Sequence, residues 1–91
     1  MSERIRLRVT VRGMVQDVGF RVAVLREARS EGVAGWVRNR DDGSVEAVLE
    51  GPEPAVARVL AYCHVGPPGA RVDAVQADPE PPRGVEGFEI R

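Results

Sequence analysis

Residues 4–12, RIRLRVTVR, alternate apolar and polar side chains without a break, and this pattern constrains the fold more than any other feature of the chain. The apolar side chains of Ile5, Leu7, Val9 and Val11 are two residues apart, so all four face the same side of an extended strand. Arginines and a threonine occupy the other side. The pattern predicts a β-strand with one buried face, which further strands or helices have to cover.

After residue 19 the spacing of the apolar residues changes from two to three or four, which predicts a helix over 20–31. Its apolar stripe contains Phe20, Val24, Leu25 and Ala28. Gly32 follows at the position where a left-handed residue commonly ends a helix. A second amphipathic helix is predicted over 53–63, where Pro54 suits the first helical turn. Each helix therefore has one apolar face to bury.

The other segments are predicted as strands and the turns that join them. In chain order they are a strand over 33–39, an RDDG turn over 40–43, a strand over 44–51, a strand over 71–77, a proline-rich loop over 78–84 and a strand over 85–91 with Phe88 and Ile90 pointing inward. Counted with 71–77 and 85–91 as one strand split around the proline-rich loop, the order is β-α-β-β-α-β, which is typical of a split β-α-β sandwich. We therefore expect an α+β fold in which two helices cover one face of an antiparallel sheet.

The composition predicts a single domain over residues 1–91, because a chain of this length buries one modest core. Hydrophobic residues make up 43% and charged residues 30%, and the net charge of -1 lacks the broad positive field of a nucleic-acid-binding protein. No segment approaches the length of a membrane-spanning helix. The single cysteine, Cys63, fits a reducing compartment. We expect a cytoplasmic monomer with no nucleic-acid or membrane partner.

Several kinds of active site are disfavoured by the residues that the chain lacks. Its only histidine, His64, follows Cys63 at the end of the second helix, where a thiol suits the core and an imidazolium suits the helix dipole. We interpret both as structural, which disfavours Ser-His and Cys-His hydrolase sites. Zinc would need more Cys and His ligands. Without lysine, the chain cannot form a GxxxxGK[ST] nucleotide-binding loop.

The segment MVQDVGFR, residues 14–21, joins the first strand to the first helix and is the candidate site. A loop that enters a helix N-terminus directs several backbone N–H groups into one concavity, which together with the helix dipole binds a phosphate-sized anion. Arg21, in the first turn, can hold two phosphoryl oxygens with one guanidinium. The alternative is an ordinary crossover loop with a surface arginine, and the loop and arginine alone do not decide against it.

Residues 11–21, VRGMVQDVGFR, resemble the acylphosphatase signature G-x-V-Q-G-V-x-[FY]-R. Residues 35–39, GWVRN, followed by DGSVE at 42–46, resemble the second signature of that family. Both occur in the family's order and on the predicted elements. The resemblance covers essentially the whole chain and is weakest over 68–87. It implies the family's ferredoxin-like βαββαβ fold, which agrees with the predicted order of strands and helices.

The resemblance also implies an activity and its residues. Acylphosphatases hydrolyse acyl phosphates to a carboxylate and inorganic phosphate without a metal or other cofactor. Arg21 matches the arginine that binds the phosphoryl group, and Asn39 matches the asparagine that orients the attacking water. The backbone amides of the family's phosphate-binding loop match those of Val15, Gln16, Asp17, Val18, Gly19 and Phe20.

The implied reaction suits a site with few chemical groups. Its leaving group is a carboxylate, which is stable at neutral pH, so no general acid has to protonate it. The loop amides and Arg21 can stabilise the charge on the phosphoryl oxygens while Asn39 holds water in line. Because the Asn39 amide is not basic, we expect the water proton to pass to a phosphoryl oxygen of the substrate.

Asp17 departs from the family pattern, which usually has glycine at this position. Aspartate tolerates left-handed backbone geometry better than most residues, but its negative charge lies close to an anionic substrate. We expect its carboxylate to point away from the loop amides and to bind a nearby backbone N–H or an arginine. On that basis we expect activity to persist.

Two alternatives from other classes stay open. An RNA-binding module has the same order of elements, but such modules stack bases on sheet aromatics, and neither 5–11 nor 44–51 contains an aromatic residue. The arginines of the first strand are interpreted as a solvated sheet face with acidic partners. The second alternative is a catalytically weak anion- or partner-binding domain in which Asp17 impairs the phosphate-binding loop. The sequence does not identify the acyl group of the substrate.

Overall fold

Two helices and five strands follow one another in the computed structural model, which describes residues 3–91. The elements are β1 (Arg4–Met14), α1 (Phe20–Glu31), β2 (Ala34–Asn39), β3 (Val45–Pro52), α2 (Glu53–Cys63), β4 (Arg71–Glu80) and β5 (Phe88–Ile90). Both helices have the predicted bounds, and Gly32 follows α1 in left-handed geometry. Neither helix is long and apolar enough to cross a membrane.

The five strands form one sheet in the order β4-β1-β3-β2-β5. β4, β1, β3 and β2 are antiparallel to their neighbours in that order, whereas β5 runs parallel to β2. The predicted ferredoxin-like class is confirmed with two differences. The sheet is mixed at one edge instead of wholly antiparallel, and the two C-terminal segments form separate strands at opposite edges, β4 and β5, instead of one split strand. The physical reason is that the chain crosses the sheet after β4 and reaches the far edge in the direction of β2.

The core lies between the sheet and the helices and consists mainly of valine and other small apolar side chains. β3, the central strand, is buried over nearly its whole length. Phe20, the first residue of α1, is among the largest buried side chains. Its ring packs so closely on the segment after α2 that a Cβ added at Gly66 would lie 2.7 Å from it. The core thus holds the beginning of α1, next to the candidate loop, in place.

The C-terminal segments differ from their predicted bounds. β4 continues through Pro79 to Glu80, where the sequence predicts a loop from residue 78. Proline has no backbone N–H, but β4 is an edge strand that pairs only with β1, so the missing donor interrupts no second ladder. β5 is shorter than predicted, and only Phe88 is buried in it. Ile90 is 38% exposed and does not point into the core.

The sheet face opposite the helices is lined by paired arginine and glutamate side chains. Glu50 of β3 accepts hydrogen bonds from Arg4 and Arg6, each at 3.1 Å. Glu80 of β4 accepts from Arg6 at 3.0 Å and from Arg8 at 2.7 Å. The predicted acidic partners of these arginines are confirmed. The predicted solvation is wrong for Arg6, which is only 4% exposed because the glutamates enclose it.

Glu50 also holds the segment 81–87, which leads to β5. Its carboxylate accepts the backbone N–H of Arg83 at 3.0 Å and that of Gly84 at 2.8 Å. Burial raises the pKa of this carboxyl, but the two N–H groups and the guanidiniums of Arg4 and Arg6 outweigh burial and lower the pKa to about 2. An ionised carboxylate in the middle of the sheet therefore fixes the path of the chain toward β5.

Candidate active site

The loop 15–19 between β1 and α1 has left-handed backbone geometry at two positions. Asp17 has a φ of 62°, and Gly19, the residue before α1, has a φ of 76°. Gly19 makes no side-chain cap, and no acidic residue lies in the first turn of α1. The positive end of the helix dipole and the first N–H groups of α1 are therefore left for another partner.

The backbone N–H groups of this loop lack carbonyl acceptors. Within residues 3–91, no N–H from Gln16 through Val22 donates to a backbone carbonyl, and the bond of Ala23 to Gly19 at 3.1 Å is the first in the helix. Successive N–H groups in a loop with left-handed residues form a concavity that binds anions. The loop thus has the free donors that an oxyanion needs.

Arg21 and Asn39 line the same cleft, although they come from different elements. The cleft has a volume of about 150 Å³, and its lining consists of Val15, Asp17, Gly19, Phe20, Arg21, Val22, Asn39 and Ile90. Within residues 3–91, Arg21 takes part in no ion pair, so its guanidinium is free to bind an anion. The structure therefore brings together the two side chains that the sequence singles out.

Asn39 has a side-chain oxygen without a hydrogen-bond partner. It is the last residue of β2 and lies opposite Val45 of β3. Its Oδ1 is buried and has no hydrogen-bond partner, a condition that no other buried side-chain nitrogen or oxygen in residues 3–91 shares. A buried acceptor without a donor costs about 1–3 kcal/mol. Because Asn39 also lines the cleft, this oxygen is a candidate acceptor for a small hydrogen-bond donor such as water.

Gln16 connects the loop to the turn that follows Asn39, a role that the sequence analysis missed. Its Nε2 donates to the backbone carbonyl of Arg40 at 2.7 Å and to that of Ser44 at 2.9 Å. Both carbonyls belong to the turn between β2 and β3. The available signal is that Gln16 is the only residue of 15–19 whose side chain has hydrogen-bond donors. Its bonds fix the distance between the loop and Asn39.

Two residues of the predicted loop do not line the cleft with their neighbours. The side chain of Gln16 is engaged with the turn, and Val18 packs against the hydrophobic core. Val22 and Ile90 line the cleft, and the sequence analysis missed both. Ile90 could not be placed from the sequence because it enters the cleft only through the pairing of β5 with β2.

Asp17 lies in the cleft lining in left-handed geometry, but it lacks the predicted partner. Within residues 3–91, its carboxylate makes no ion pair with an arginine, and no backbone N–H donates to it. The expectation that the carboxylate binds a neighbouring group is therefore wrong. The physical reason is that the arginines of β1 already pair with carboxylates of other segments, Arg6 with Glu50, Arg8 with Glu46 and Arg12 with Asp42.

Cys63 and His64 lie outside the cleft. Burial raises the pKa of the Cys63 thiol to about 12, so the thiol stays protonated at neutral pH. His64 is exposed at the end of α2. The structural interpretation of both residues agrees with these positions. Within residues 3–91, no three His, Cys, Asp or Glu side chains come together as possible metal ligands.

The family model for acylphosphatase matches residues 7–90. A relative named acylphosphatase from Natronomonas pharaonis is 53% identical over 91 residues, covering 100% of this chain and 99% of the relative. The chain belongs to the acylphosphatase family. Two solved acylphosphatases have similar structures. The acylphosphatase of Coxiella burnetii has a TM-score of 0.93 and 32% sequence identity, and the match covers 97% of this chain and 93% of that one. The acylphosphatase of Bacillus subtilis has a TM-score of 0.91 and 38% sequence identity, and the match covers 96% of this chain and 98% of that one.

Membership of the acylphosphatase family gives the enzyme class, so this chain hydrolyses acyl phosphates and releases inorganic phosphate. It favours neither the RNA-binding module nor the catalytically weak domain. The sheet face also gives no support to the RNA-binding module, because the ring of Trp36 is already in contact with guanidiniums instead of being open to a base. Arg8, Arg38 and Arg91 lie 5.0–5.7 Å from its centroid, as in cation–π contacts.

Proposed function

We propose that this enzyme hydrolyses acyl phosphates by in-line attack of a water molecule that Asn39 positions. Arg21 and the backbone amides of residues 15–20 hold the phosphoryl group that is attacked. The observation that carries the proposal is the meeting of Arg21, Asn39 and the loop in one cleft. Phosphoryl transfer depends on positioning and on stabilising the charge of the equatorial oxygens. A guanidinium and a set of free N–H groups supply both.

Asn39 acts through its buried Oδ1. A water molecule that donates to this oxygen keeps a lone pair directed at phosphorus. The bond from the water oxygen to phosphorus forms while the bond from phosphorus to the carboxyl oxygen breaks, and its electron pair leaves with the carboxylate. No imidazole or amine of residues 3–91 lines the cleft. The water proton passes in this proposal to a phosphoryl oxygen of the substrate, and the carboxylate of Asp17, which also lines the cleft, is the alternative acceptor.

The test is phosphate release from benzoyl phosphate and acetyl phosphate in the presence of a chelator. We expect Arg21→Ala to lower kcat/KM by about 1000-fold and Asn39→Ala to lower kcat by about 100-fold, because each removes an interaction with the transition state. Arg26→Ala is the matched control, since Arg26 is an exposed arginine of α1 outside the cleft. Full activity in both site variants, or loss of wild-type activity with the chelator, would contradict the mechanism.

The route of the proton has its own test, the pH dependence of kcat. If the water proton passes to the substrate, no limb of the pH profile of kcat should reflect the titration of an enzyme side chain. It also predicts that Asp17→Asn keeps the wild-type kcat, although Asp17 is a carboxylate of the cleft. A limb that is present in the wild type and lost in Asp17→Asn would assign the proton to Asp17 instead.

We further propose that residues 1–91 act as one domain, as a monomer and in the cytoplasm. One hydrophobic core joins β1, β2, β3 and both helices, which supports a single domain. Four large apolar side chains of residues 3–91 are exposed, too few for an extensive subunit interface, and Cys63 is a free thiol. Sedimentation at micromolar concentration should give the mass of one chain, and a dimer would overturn the monomer.

A further inference from the structure

Two of the four large apolar side chains that are exposed in residues 3–91 lie at the active-site cleft. Val22 is 43% exposed and Ile90 is 38% exposed, and both line the cleft that contains Arg21 and Asn39. Single exposed apolar side chains are ordinary on a protein surface, but two at one functional cleft indicate contact with an apolar ligand group.

Val22 and Ile90 are held by the same elements that hold the catalytic groups. Val22 follows Arg21 in the first turn of α1. Ile90 is paired with Val37 in the parallel ladder of β5 and β2, and the N–H of Arg91 donates to the Val37 carbonyl at 2.8 Å. β2 ends at Asn39. The two side chains therefore keep a fixed position relative to the phosphoryl group.

The cleft is too small to enclose the acyl group together with the phosphoryl group, so the acyl group lies at the opening of the cleft. A cavity of about 150 Å³ is large enough for one benzene ring, and the cleft has a volume of about 150 Å³. A phosphoryl group with its attacking water fills a space of this size. The acyl group then extends outward past the rim, where Val22 and Ile90 are exposed.

The charges of the cleft disfavour a second negative group on the substrate. Its lining contains one cation, Arg21, and one carboxylate, Asp17. The guanidinium is used by the phosphoryl group in the proposed mechanism. A carboxylate or second phosphate on the acyl group would therefore meet the negative charge of Asp17 without a cation of this cleft to balance it.

Asn39 also borders a second cleft, whose lining is charged and includes Arg38, Arg40 and Asp42. Its guanidiniums already have a partner, since Arg38 and Arg40 contact Glu46 at 2.7 Å and 3.8 Å. Asp42 pairs with Arg12 at 3.3 Å. The apolar surface next to the phosphoryl group is thus on the side of Val22 and Ile90.

We propose that Val22 and Ile90 form the acyl subsite of this enzyme. The subsite takes an uncharged, apolar acyl group, such as one with an aromatic ring, in preference to a short or an anionic acyl group. This inference rests on the proposed function, because it uses the phosphoryl position set by Arg21 and Asn39.

The kinetic test compares kcat/KM for benzoyl, acetyl and succinyl phosphate. The wild type should prefer them in that order. Val22→Ser and Ile90→Ser should each lower the value for benzoyl phosphate by about fivefold, the effect of losing contact with roughly one methylene group, and should leave acetyl phosphate within about twofold. Val65→Ser is the matched control, because Val65 is 70% exposed outside this cleft. Asp17→Asn should raise the value for succinyl phosphate more than that for benzoyl phosphate.

A binding test works without turnover and separates this inference from the proposed function. In the Asn39→Ala variant, calorimetry should show tighter binding of phenylphosphonate than of methylphosphonate, and adding Ile90→Ser should reduce the difference. Equal binding of the two phosphonates overturns the subsite even if hydrolysis follows the proposed mechanism. A preference for succinyl phosphate that Arg40→Ala abolishes overturns it as well, since the acyl group would then lie in the charged cleft. Failure of Arg21→Ala to affect hydrolysis instead contradicts the proposed function.

Discussion

Gln16 is the single side chain that joins the phosphate-binding loop to the turn beside Asn39. Gln16→Leu keeps a similar size but removes both hydrogen bonds, so the loop and Asn39 lose their common position. We expect kcat to fall by about 30-fold, because misplacement of a reacting group by about 1 Å costs up to about 100-fold. KM should change less, since Arg21 and the loop amides still bind the phosphoryl group. Steady-state kinetics give both constants.

The control for Gln16 is Gln76→Leu, which removes the bond of an exposed glutamine to Asp78 on β4. It should leave kcat and KM unchanged. Gln16→Glu should be at least as inactive as Gln16→Leu, because it places a carboxylate against the carbonyls of Arg40 and Ser44. If the loss of kcat in these variants follows the loss in the free energy of unfolding, Gln16 has a structural role instead of a positioning one.

Asp17 places a negative charge in the cleft that binds an anionic substrate. Asp17→Gly and Asp17→Asn both remove this charge and both tolerate left-handed geometry. At about 4 Å, unit charges in water interact by about 1 kcal/mol, so KM and the inhibition constant of inorganic phosphate should each fall about threefold at low salt. Kinetics with phosphate as inhibitor measure both. Unchanged or higher KM in both variants refutes the repulsion, and a fall in Asp17→Gly alone assigns it to the backbone.

At the scale of elements, the N-terminus of α1 depends on the left-handed geometry of Gly19. A Cβ at this position meets no atom within 4 Å, so Gly19→Ala introduces backbone strain and no clash. We expect a loss of about 1 kcal/mol in the free energy of unfolding and a tenfold or larger loss of kcat/KM, because relief of the strain turns the following N–H groups. Gly69→Ala, at φ 93° and equally open, should lose similar stability and keep its activity. Equal activity of both variants would count against the role of the amides.

The helices and the hairpin could be predicted from the sequence because local patterns decide them. α1 and α2 follow the spacing of their apolar residues, and the Asp-Gly turn separates β2 from β3. β4 could not be bounded, since the tolerance of Pro79 depends on β4 being an edge strand. The direction of β5 depends on where Glu50 holds the segment 81–87. These features depend on tertiary contacts, which local sequence patterns do not predict.

The same division applies to the active site. Arg21, Asn39 and the loop could be singled out because they lie in motifs that are continuous in sequence, and the structure brings them to one cleft. The hydrogen bonds of Gln16 and the entry of Ile90 join segments that are far apart in the chain. The predicted partner of Asp17 is wrong for the same reason, because the arginines of β1 pair with carboxylates of segments far along the chain.

At the scale of the whole molecule, Glu50 links β1, β3 and the C-terminal segment through one buried carboxylate. Its pKa of about 2 in the folded chain lies below its usual value of 4.5. The stability that it contributes is complete above the usual pKa and is lost as the pH falls through about 2, because the unfolded chain binds the proton more readily. Denaturant unfolding across this range should show the decline.

Glu50→Gln separates this contribution from those of other carboxylates. The variant should lose about 3 kcal/mol at neutral pH, as when one partner of a buried ion pair is removed. The free energy of unfolding of the variant should also depend less on pH below the usual pKa of the carboxyl. Glu89→Gln is the control, since Glu89 forms an exposed pair with Arg91 and should change little. A pH dependence in Glu50→Gln equal to that of the wild type would contradict the assignment.

The free N–H groups from Gln16 to Val22 make the product of the reaction a stabiliser of the enzyme. Inorganic phosphate binds them only where β1 and α1 hold the loop in shape, so it binds the folded chain and not the unfolded one. At about 100 times its dissociation constant, phosphate should raise the free energy of unfolding by about 2.7 kcal/mol, and by less in Arg21→Ala. The lifetime of the enzyme against heat and proteolysis then rises with the phosphate level of its surroundings.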